Sequence, residues 1–448
     1  MKRLAIGLLI TSLNLFAAHI AVIDSGVDYK HKDLKNNIWQ NPDSKTVDAD
    51  GTTYDDDIHG WNFAENNNQV IDYKYLGTFS SDCTKIFDVQ AKILAGTATQ
   101  EEKDWYKAKK SDAEFLKELQ KFGNFVHGTH VSGISAAEAQ KANLIALKLI
   151  PTETPGAAEV ARFVAEHKAE ASEVRDENPM VMMFLTMMAQ RQVTMLTTVG
   201  KYTGAVKSEI ANGSFGISMT AVKPIVKQLV KQITGSDPTD AETDAYAKFF
   251  VNEITKGSKD FVGAASNTLF VFAAGNDGTN NDSIPASPAN VKTDNTITVA
   301  ATNGMTSLAV FSNYGQKMVE VAAPGVAIMS TIPGDEHLRM SGTSMAAPYV
   351  TNVAGLVKDG NPSLNPAGIK KVLMETVDIK DFLKGKVTTS GIVNKARAIR
   401  AAELSRTMSL EAAIKQSRRA VADESVSSWS TRGVSEKDLI VLPLPSTF

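Results

Sequence analysis

The chain has 448 residues and a formal net charge of −3, from 47 Lys and Arg against 50 Asp and Glu. Apolar residues make up 43% of it, enough to form a core, which excludes disorder of the whole chain. The near-neutral balance gives no electrostatic case for a nucleic-acid partner. Cys83 is the only cysteine, which excludes an intrachain disulfide and argues against a cysteine-ligated metal centre. The length permits roughly two to four domains, or one large α/β domain with insertions.

The first residues are typical of a secretory signal peptide. Met1-Lys2-Arg3 gives a positive start, Leu4–Phe16 is a mainly apolar run of 13 residues, and the small residues Ala17-Ala18 follow. A membrane-spanning helix needs about 20 apolar residues, so this run is short for a span. We expect residues 1–18 to direct export, with the protein secreted or periplasmic. The alternative is a buried N-terminal helix or strand.

Short apolar runs alternate with longer helical stretches along the chain. The residues from 40 to 72 are rich in Asn, Asp and Gly and predict a loop. Helices are predicted over about 85–121, 156–205 and 220–258, and from Thr343 to about Lys358. This alternation predicts an α/β fold with three layers, a doubly wound and mostly parallel sheet with helices on both faces. The runs that predict its buried strands are His19–Asp24, Asn143–Leu149, Glu209–Phe215, Leu269–Ala274 and Asn295–Ala300.

Three short segments carry residues suited to catalysis. Asp24 ends the first apolar run, at the edge where open α/β sheets hold their active groups. His127 opens His-Gly-Thr-His, and Ser344 lies in Gly-Thr-Ser-Met-Ala-Ala-Pro at the start of a helix. The positive end of that helix would favour a developing oxyanion. Taken singly, each residue also has a structural explanation, as a turn cap, a hydrogen-bonded histidine and a helix N-cap.

The three segments occur in the order Asp, His, Ser, which is the order found in subtilisin. The sequence resembles the subtilisin-like serine proteases, or subtilases, at each segment and at a fourth, Phe272–Gly278. The matching stretches are HIAVIDSGVDYKHKDL, HGTHVSGI, FAAGNDG and SGTSMAAPYVTNVAGL. The resemblance implies a subtilisin-like catalytic domain over residues 19–404.

The resemblance also implies a role for each matching residue. Ser344 would be the nucleophile and His127 the base that takes its proton, while Asp24 would hold the imidazole. Asn276 and the Ser344 N–H would bind the oxyanion. His130, the second histidine of its motif, would pack structurally. The implied activity is that of a serine endopeptidase on proteins or peptides, through an acyl-enzyme, with no cofactor needed for catalysis.

A substrate-binding strand is implied by Asn212–Gly216, which resembles the segment that pairs with the substrate backbone in the family. The first specificity pocket would then contain no acidic side chain, so a strict preference for basic residues is not indicated and a broad or apolar preference is expected. Its implied lining is Ser214, Phe215, Gly216, Ala273, Ala274 and Gly275.

Insertions relative to compact subtilisins fall at about 40–122, 151–205 and 218–260, all in connections, where long insertions are tolerated. The first contains five Asp within ten residues, and hard cations take such oxygen ligands. We expect either a structural calcium ion held by Asp48, Asp50 and Asp55 or a solvated acidic loop.

Two further departures concern the ends of the chain. No propeptide separates the predicted signal peptide from the first catalytic strand. Four explanations are open. Folding needs no propeptide as a chaperone, or the inserted helices take its place. Alternatively, the start of the catalytic domain is misassigned, or residues 1–18 are retained. Residues 405–448 are predicted to be a polar tail, although they end in the apolar run Leu439-Ile-Val-Leu-Pro-Leu-Pro445.

Two other functions compete with that of a peptidase. A catalytically idle subtilase fold used for binding would be favoured by loss of a catalytic residue, but Asp24, His127, Asn276 and Ser344 are all present. A lipase or esterase would need a Gly-x-Ser-x-Gly elbow and the order Ser, Asp, His, which this chain does not follow.

Overall fold

The computed structural model describes residues 18–137, 142–154, 156–167, 177–424 and 439–447. The predicted signal peptide therefore lies outside the described residues except for Ala18. The α-helices of the described part are α1 Asp82–Ala95, α2 Gln100–Lys110, α3 Ala113–Ala136, α4 Gly156–Glu166, α5 Glu177–Ala205, α6 Met219–Thr234, α7 Asp240–Gly263, α8 Thr343–Gly360, α9 Pro366–Glu375, α10 Lys395–Leu404 and α11 Leu410–Ala420.

The strands are mostly short. They are β1 His19–Asp24, β2 Lys45–Val47, β3 Thr53–Asp55, β4 Gly60–Asn62, β5 Asn143–Lys148, β6 Ile210–Gly213, β7 Ile217–Ser218, β8 Leu269–Ala273, β9 Ala286–Ser287, β10 Thr296–Asn303, β11 Ser307–Leu308, β12 Val321–Pro324, β13 Ile328–Ile332, β14 Glu336–Met340, β15 Asp378–Ile379 and β16 Gly391–Ile392. Every strand predicted from an apolar run is present.

One large sheet organises the molecule, in the order β15-β16-β12-β10-β8-β6-β1-β5-β4, with β11 paired to β10. From β16 to β4 all neighbours run parallel, and β15 and β11 are the antiparallel additions. β1 lies between β6 and β5, so Asp24 ends a central strand. The predicted mostly parallel sheet is confirmed.

Helices cover both faces of this sheet, as two consecutive residues of β1 show. Val22 belongs to the core cluster that contains Val350 of α8. Ile23 points to the opposite side, into a cluster with Val199 of α5 and Phe261 of α7. Strands buried on both faces read as continuous apolar runs, which is why the sequence located them. The fold is the predicted three-layer α/β arrangement.

The second and third insertions form a helical layer with its own apolar core. Val181, Phe184 and Met188 of α5 share a cluster with Val226 of α6 and Phe250 of α7. Further methionines of α5 pack against this cluster, where unbranched thioether side chains fill irregular gaps.

Two segments differ from their predictions. The 40–72 stretch, predicted as a loop, contains β2, β3 and β4, and β4 extends the main sheet at its edge beside β5. Buried Tyr54 and Trp61 anchor this stretch with their rings 5.3 Å apart, so aromatic packing outweighs its loop-forming composition.

The predicted polar tail is not uniform either. Its residues 410–420 form α11, which begins with a Ser409 cap and buries Ala413 and Ile414 in contact with α10. Residues 439–447 lie against the main body. Sparse apolar residues at helical spacing were enough to dock α11. Within the described residues, no helix combines the length and apolarity needed to cross a membrane.

Candidate active site

The carboxyl end of β1 and the middle of α3 bring Asp24 and His127 together. Asp24 is fully buried, and its Oδ1 lies 2.7 Å from Nδ1 of His127. The same oxygen accepts from the backbone N–H of Ser25 at 2.7 Å. A carboxylate at Nδ1 favours the tautomer that carries its proton there, which leaves Nε2 as the basic nitrogen.

A glycine allows α3 to approach the end of β1 this closely. A Cβ at Gly128 would lie 2.2 Å from the carbonyl oxygen of Gly26, well inside contact distance. The Gly128 N–H donates to Oγ of Ser25 at 3.1 Å, and Thr129 Oγ1 accepts from the N–H of Asp28 at 2.9 Å. The Gly-Thr pair after His127 is therefore the contact that fixes the helix against the aspartate loop.

Ser344 is the second residue of α8 and is only 2% exposed. Its Oγ donates to the carbonyl of Ser214 at 3.4 Å, and Ser214 Oγ donates to the Ser344 carbonyl at 3.0 Å. Among the described residues, Ser344 makes no hydrogen bond to the His127 ring. Such bonds are often long until substrate is bound. The Ser214 contacts tie the start of α8 to the end of β6.

The side chain of Asn276 is held in one orientation. Its Oδ1 accepts from the N–H of Thr343 at 2.9 Å and from Thr343 Oγ1 at 2.7 Å. Because Oδ1 accepts these two hydrogen bonds, the amide nitrogen Nδ2 points away from Thr343 and is available as a donor. It donates to the carbonyl of Leu442 at 3.0 Å. A donor fixed before reaction is what stabilisation of an oxyanion requires.

Thr343 is the positioning residue that the sequence analysis missed. It is fully buried, and its hydroxyl also accepts from the N–H of Gly275 at 3.2 Å. The only signal for it was its place before the serine of Gly-Thr-Ser. Nothing in spacing alone indicates that this hydroxyl reaches the asparagine, which is distant in sequence.

The second histidine of the His127 motif points elsewhere. His130 is fully buried, and its Nε2 lies 2.9 Å from the carbonyl of Leu338 in β14. Burial lowers the pKa of His130 to about 3, so its ring stays neutral at ordinary pH.

The six residues predicted to line the specificity pocket lie at or just after the ends of two neighbouring strands. β6 pairs with β8, with Gly213 opposite Phe272, so the segments after both strands lie at one edge of the sheet. Ser214 and Ala273–Ala274 are fully buried, and Phe215 is nearly so. The N–H of Gly216 donates to the carbonyl of Pro445 at 3.0 Å. Gly216 therefore already binds a peptide backbone.

The carboxylates predicted to hold calcium do not converge. Asp48 accepts from the N–H groups of Asp50 and Thr52 and from the hydroxyl of Tyr54, all at 3.0 Å. Asp50 pairs with Lys201, and Asp55 lies 3.0 Å from Nζ of Lys45. Each of the three has its own protein partner, and the described residues do not gather them into one group. Calcium here stays a hypothesis.

A different trio of potential ligands does come together, namely His31, Asp33 and His337. Both ring nitrogens of His31 are already engaged, because Nε2 lies 3.1 Å from the carbonyl of Glu336 and Nδ1 accepts from the N–H of Asp33 at 3.1 Å. His337 Nε2 lies 2.9 Å from the carboxylate of Asp33. These contacts account for the cluster without a metal ion.

Comparison with known proteins gives one consistent result. A family model described as the subtilase family matches residues 17–395. Alkaline elastase YaB of Bacillus sp. (strain YaB) is 40% identical over 144 residues, which cover 30% of this chain and 34% of that protein. Subtilisin BL of Lederbergia lenta is 38% identical over 126 residues, which cover 28% and 41%.

The similarity to these relatives is thus partial, since the chain spans about a third of the length of the alkaline elastase it matches. Among solved structures, a cold adapted subtilisin-like serine proteinase is 18% identical with a TM-score of 0.43, covering 86% of this chain and 89% of that one.

Proposed function

The chain belongs to the subtilase family, and from that premise we propose that it is a serine endopeptidase that hydrolyses proteins or peptides through an acyl-enzyme. The observation that carries the proposal is that two pairs of motif residues, each joined by its own contacts, lie at one edge of the sheet. Asp24 contacts His127, while Ser344 and the Thr343 that orients Asn276 open the same helix. Asp24, His127, Asn276 and Ser344 are all present, so the sequence gives no support to a catalytically idle fold used for binding.

In the proposed reaction, Oγ of Ser344 attacks the peptide carbonyl while Nε2 of His127 takes its proton. Asp24 stabilises the imidazolium through Nδ1. The carbonyl oxygen becomes negative and is bound by Nδ2 of Asn276 and the Ser344 N–H. The imidazolium then protonates the departing nitrogen. Water attacks the acyl-enzyme by the same route, and the serine hydroxyl is restored.

The test is labelling of the purified protein with a fluorophosphonate, which phosphonylates an activated serine. We expect the wild type to be labelled and to cleave a fluorogenic peptide. Ser344→Ala should lose both properties, since removing a triad member costs several orders of magnitude in turnover. Ser283→Ala, at an exposed serine in the loop after Asn276, is the matched control and should be labelled normally. Labelling of Ser344→Ala at the wild-type rate would contradict the assignment.

Export is proposed on the sequence of residues 1–18 and on the surroundings of Ala18. The N–H of Ala18 donates to Oδ1 of Asp359 at 2.9 Å, and the N–H of His19 donates to Glu209 at 2.8 Å. Burial raises the pKa of Asp359 to about 6. A cut after Ala17, one residue before the end of the predicted signal peptide at Ala18, would place an α-ammonium beside this carboxylate and stabilise its charged form, so we favour that cleavage site.

A further inference from the structure

The last described segment, residues 439–447, crosses the candidate active site from one insertion to another. At its start, the N–H of Ile440 donates to Oε1 of Gln90 at 2.6 Å and its carbonyl accepts from Nε2 of Gln90 at 3.2 Å. At its end, Thr447 Oγ1 donates to Gln192 Oε1 at 2.8 Å. Gln90 lies in α1 of the first insertion and Gln192 in α5 of the second.

The middle of the segment occupies the groups that a substrate would use. The carbonyl of Leu442 accepts from Nδ2 of Asn276, the proposed oxyanion donor. Three residues further on, the carbonyl of Pro445 accepts from the N–H of Gly216, on the proposed substrate strand. The Ser344 hydroxyl is meanwhile bonded to Ser214. A second peptide cannot take the same donors while the segment is in place.

The protein surface under the segment is built to receive it. Gln90 is only 3% exposed, and its Oε1 also accepts from the hydroxyl of Tyr106 at 2.6 Å. The side-chain amide of Gln90 donates to the carbonyl of Ile440, so both ends of this amide are hydrogen-bonded when the segment is bound. A Cβ at Gly123 would lie 2.4 Å from Cδ1 of Leu442, so the helix that carries His127 leaves room for this leucine.

The composition of the segment suits an occupant that is bound but not cleaved. The bond after Leu442 leads to Pro443, whose nitrogen bears a ring carbon where other residues have hydrogen. That carbon crowds the nitrogen that the imidazolium must protonate. Two prolines also restrict the backbone before binding, which lowers the ordering cost. The covalent link to the same chain keeps the local concentration of the segment at about the millimolar level.

From these contacts we propose that residues 439–447 are an intramolecular inhibitor of the proposed peptidase, and that the enzyme becomes active when this segment leaves the cleft. That the segment inhibits an enzyme rests on the proposed function, whereas its binding in the cleft rests on the contacts alone. It gives the insertions a role, because their glutamines hold the two ends of the segment.

The first experiment compares rates of fluorogenic peptide hydrolysis. The forms are the full chain, a chain ending at Asp438, and the full-length variants Leu442→Asp and Gln90→Leu. We expect the full chain to be slow or to show a lag, and the other three to be faster by about tenfold or more, as expected when a tethered competitor is removed. Lys415→Ala, at an exposed position of α11, is the control and should match the full chain.

The second experiment measures binding without catalysis. A fluorescent synthetic peptide of residues 439–448 is titrated into Ser344→Ala protein, either full-length or ending at Asp438, and a scrambled peptide is the control. We expect binding to the shortened form, little binding to the full-length form, and competitive inhibition of the active shortened enzyme. Should the shortened chain fail to fold, Leu442→Asp in the full chain replaces it.

The outcomes separate the two proposals. Peptide binding without activity or fluorophosphonate labelling in any form would overturn the proposed function and leave the cleft assignment standing. Equal rates in all forms, with no binding of the peptide, would overturn the inhibitor and leave the peptidase standing. A shortened chain that is folded but less active than the full chain would also overturn the inhibitor, since the segment would then support the active state.

Discussion

The orientation of Asn276 by Thr343 makes a quantitative prediction. Thr343→Val keeps the shape of the buried side chain and the backbone bond to Asn276 Oδ1, and removes the hydroxyl bond of 2.7 Å. The asparagine is then held by one bond instead of two. Because Asn276, as the proposed oxyanion donor, would act mainly in the transition state, we expect kcat to fall and KM to stay nearly constant.

The size of the effect follows from the bonds involved. A neutral hydrogen bond contributes about 0.5–1.5 kcal/mol, so kcat should fall by about twofold to thirteenfold. Removing the donor itself in Asn276→Ala should cost about 10²–10³ in kcat, a range measured in a subtilisin. Valine also leaves the N–H of Gly275 without the Thr343 hydroxyl as acceptor. We therefore expect the free energy of unfolding to fall by about 1–3 kcal/mol.

The assay is steady-state hydrolysis of a peptide substrate by the wild type, Thr343→Val, Asn276→Ala and the double variant. Leu442→Asp serves as the common background, because Leu442 otherwise occupies the oxyanion donor. Thr343→Ser retains the hydroxyl and should restore most of the rate. Urea unfolding of each protein separates loss of fold from loss of catalysis.

The double variant decides whether Thr343 acts through Asn276. If it does, adding Thr343→Val to Asn276→Ala should lower kcat little further, since contacting residues are not additive. Additive losses would refute the reasoning and assign Thr343 a separate effect, as would a rise in KM at constant kcat.

Three further predictions concern pH, processing and calcium. Because the pKa of His130 is about 3 in the folded chain against an ordinary 6.5, the unfolded chain binds more protons between these values. Stability from this residue is complete above about pH 6.5 and is lost as pH falls toward 3, by up to about 1.4 kcal/mol per unit. The difference between the urea midpoints at pH 7 and at pH 4.5 should therefore be smaller in His130→Gln than in the wild type. An equal difference in the two proteins would contradict this. The intact mass of the exported protein should show that the mature chain begins at Ala18. A chain that begins at His19 would contradict this and would indicate that the new N-terminus pairs with Glu209 instead. Melting temperatures in chelator and in millimolar calcium should agree if the loop is only solvated, since Asp48, Asp50 and Asp55 already have protein partners; a rise with calcium would support the metal-site hypothesis.

The sheet and the catalytic motifs were open to prediction because their signals are local. β8 is apolar throughout and β1 is apolar between His19 and Asp24, since both faces of a parallel sheet are covered, and each strand ends at a motif residue or close to one. Glycines around Asp24 and His127 mark a close approach of two backbones, which the Gly128–Gly26 contact explains. Such patterns need no knowledge of distant residues.

The features that were missed depend on contacts between residues far apart in sequence. β2 and β3 are short and owe their place to Tyr54, which packs on Tyr202 of a later insertion with ring centroids 4.7 Å apart. Asp48, whose acidic neighbours suggested a cation, instead accepts from the same Tyr54. The contact of Leu442 with Asn276 joins residues that are 166 positions apart, and the sequence signal for it was an apolar run after a polar stretch.

A catalytic site that is organised before its substrate arrives binds any carbonyl presented in the right place. Thr343 fixes Asn276 as a donor whether or not a reaction follows, and Gly216 offers its N–H in the same way. Inhibition of such a site therefore requires a group that competes for those donors, and it does not require a distortion of the triad. To leave about 1% of the sites open, the bound segment must be favoured by about 2.7 kcal/mol. Loss of one anchor worth about 1.4 kcal/mol would raise the open fraction to about 9%, so each end of the segment, at Gln90 and at Gln192, is a point where activity can be set.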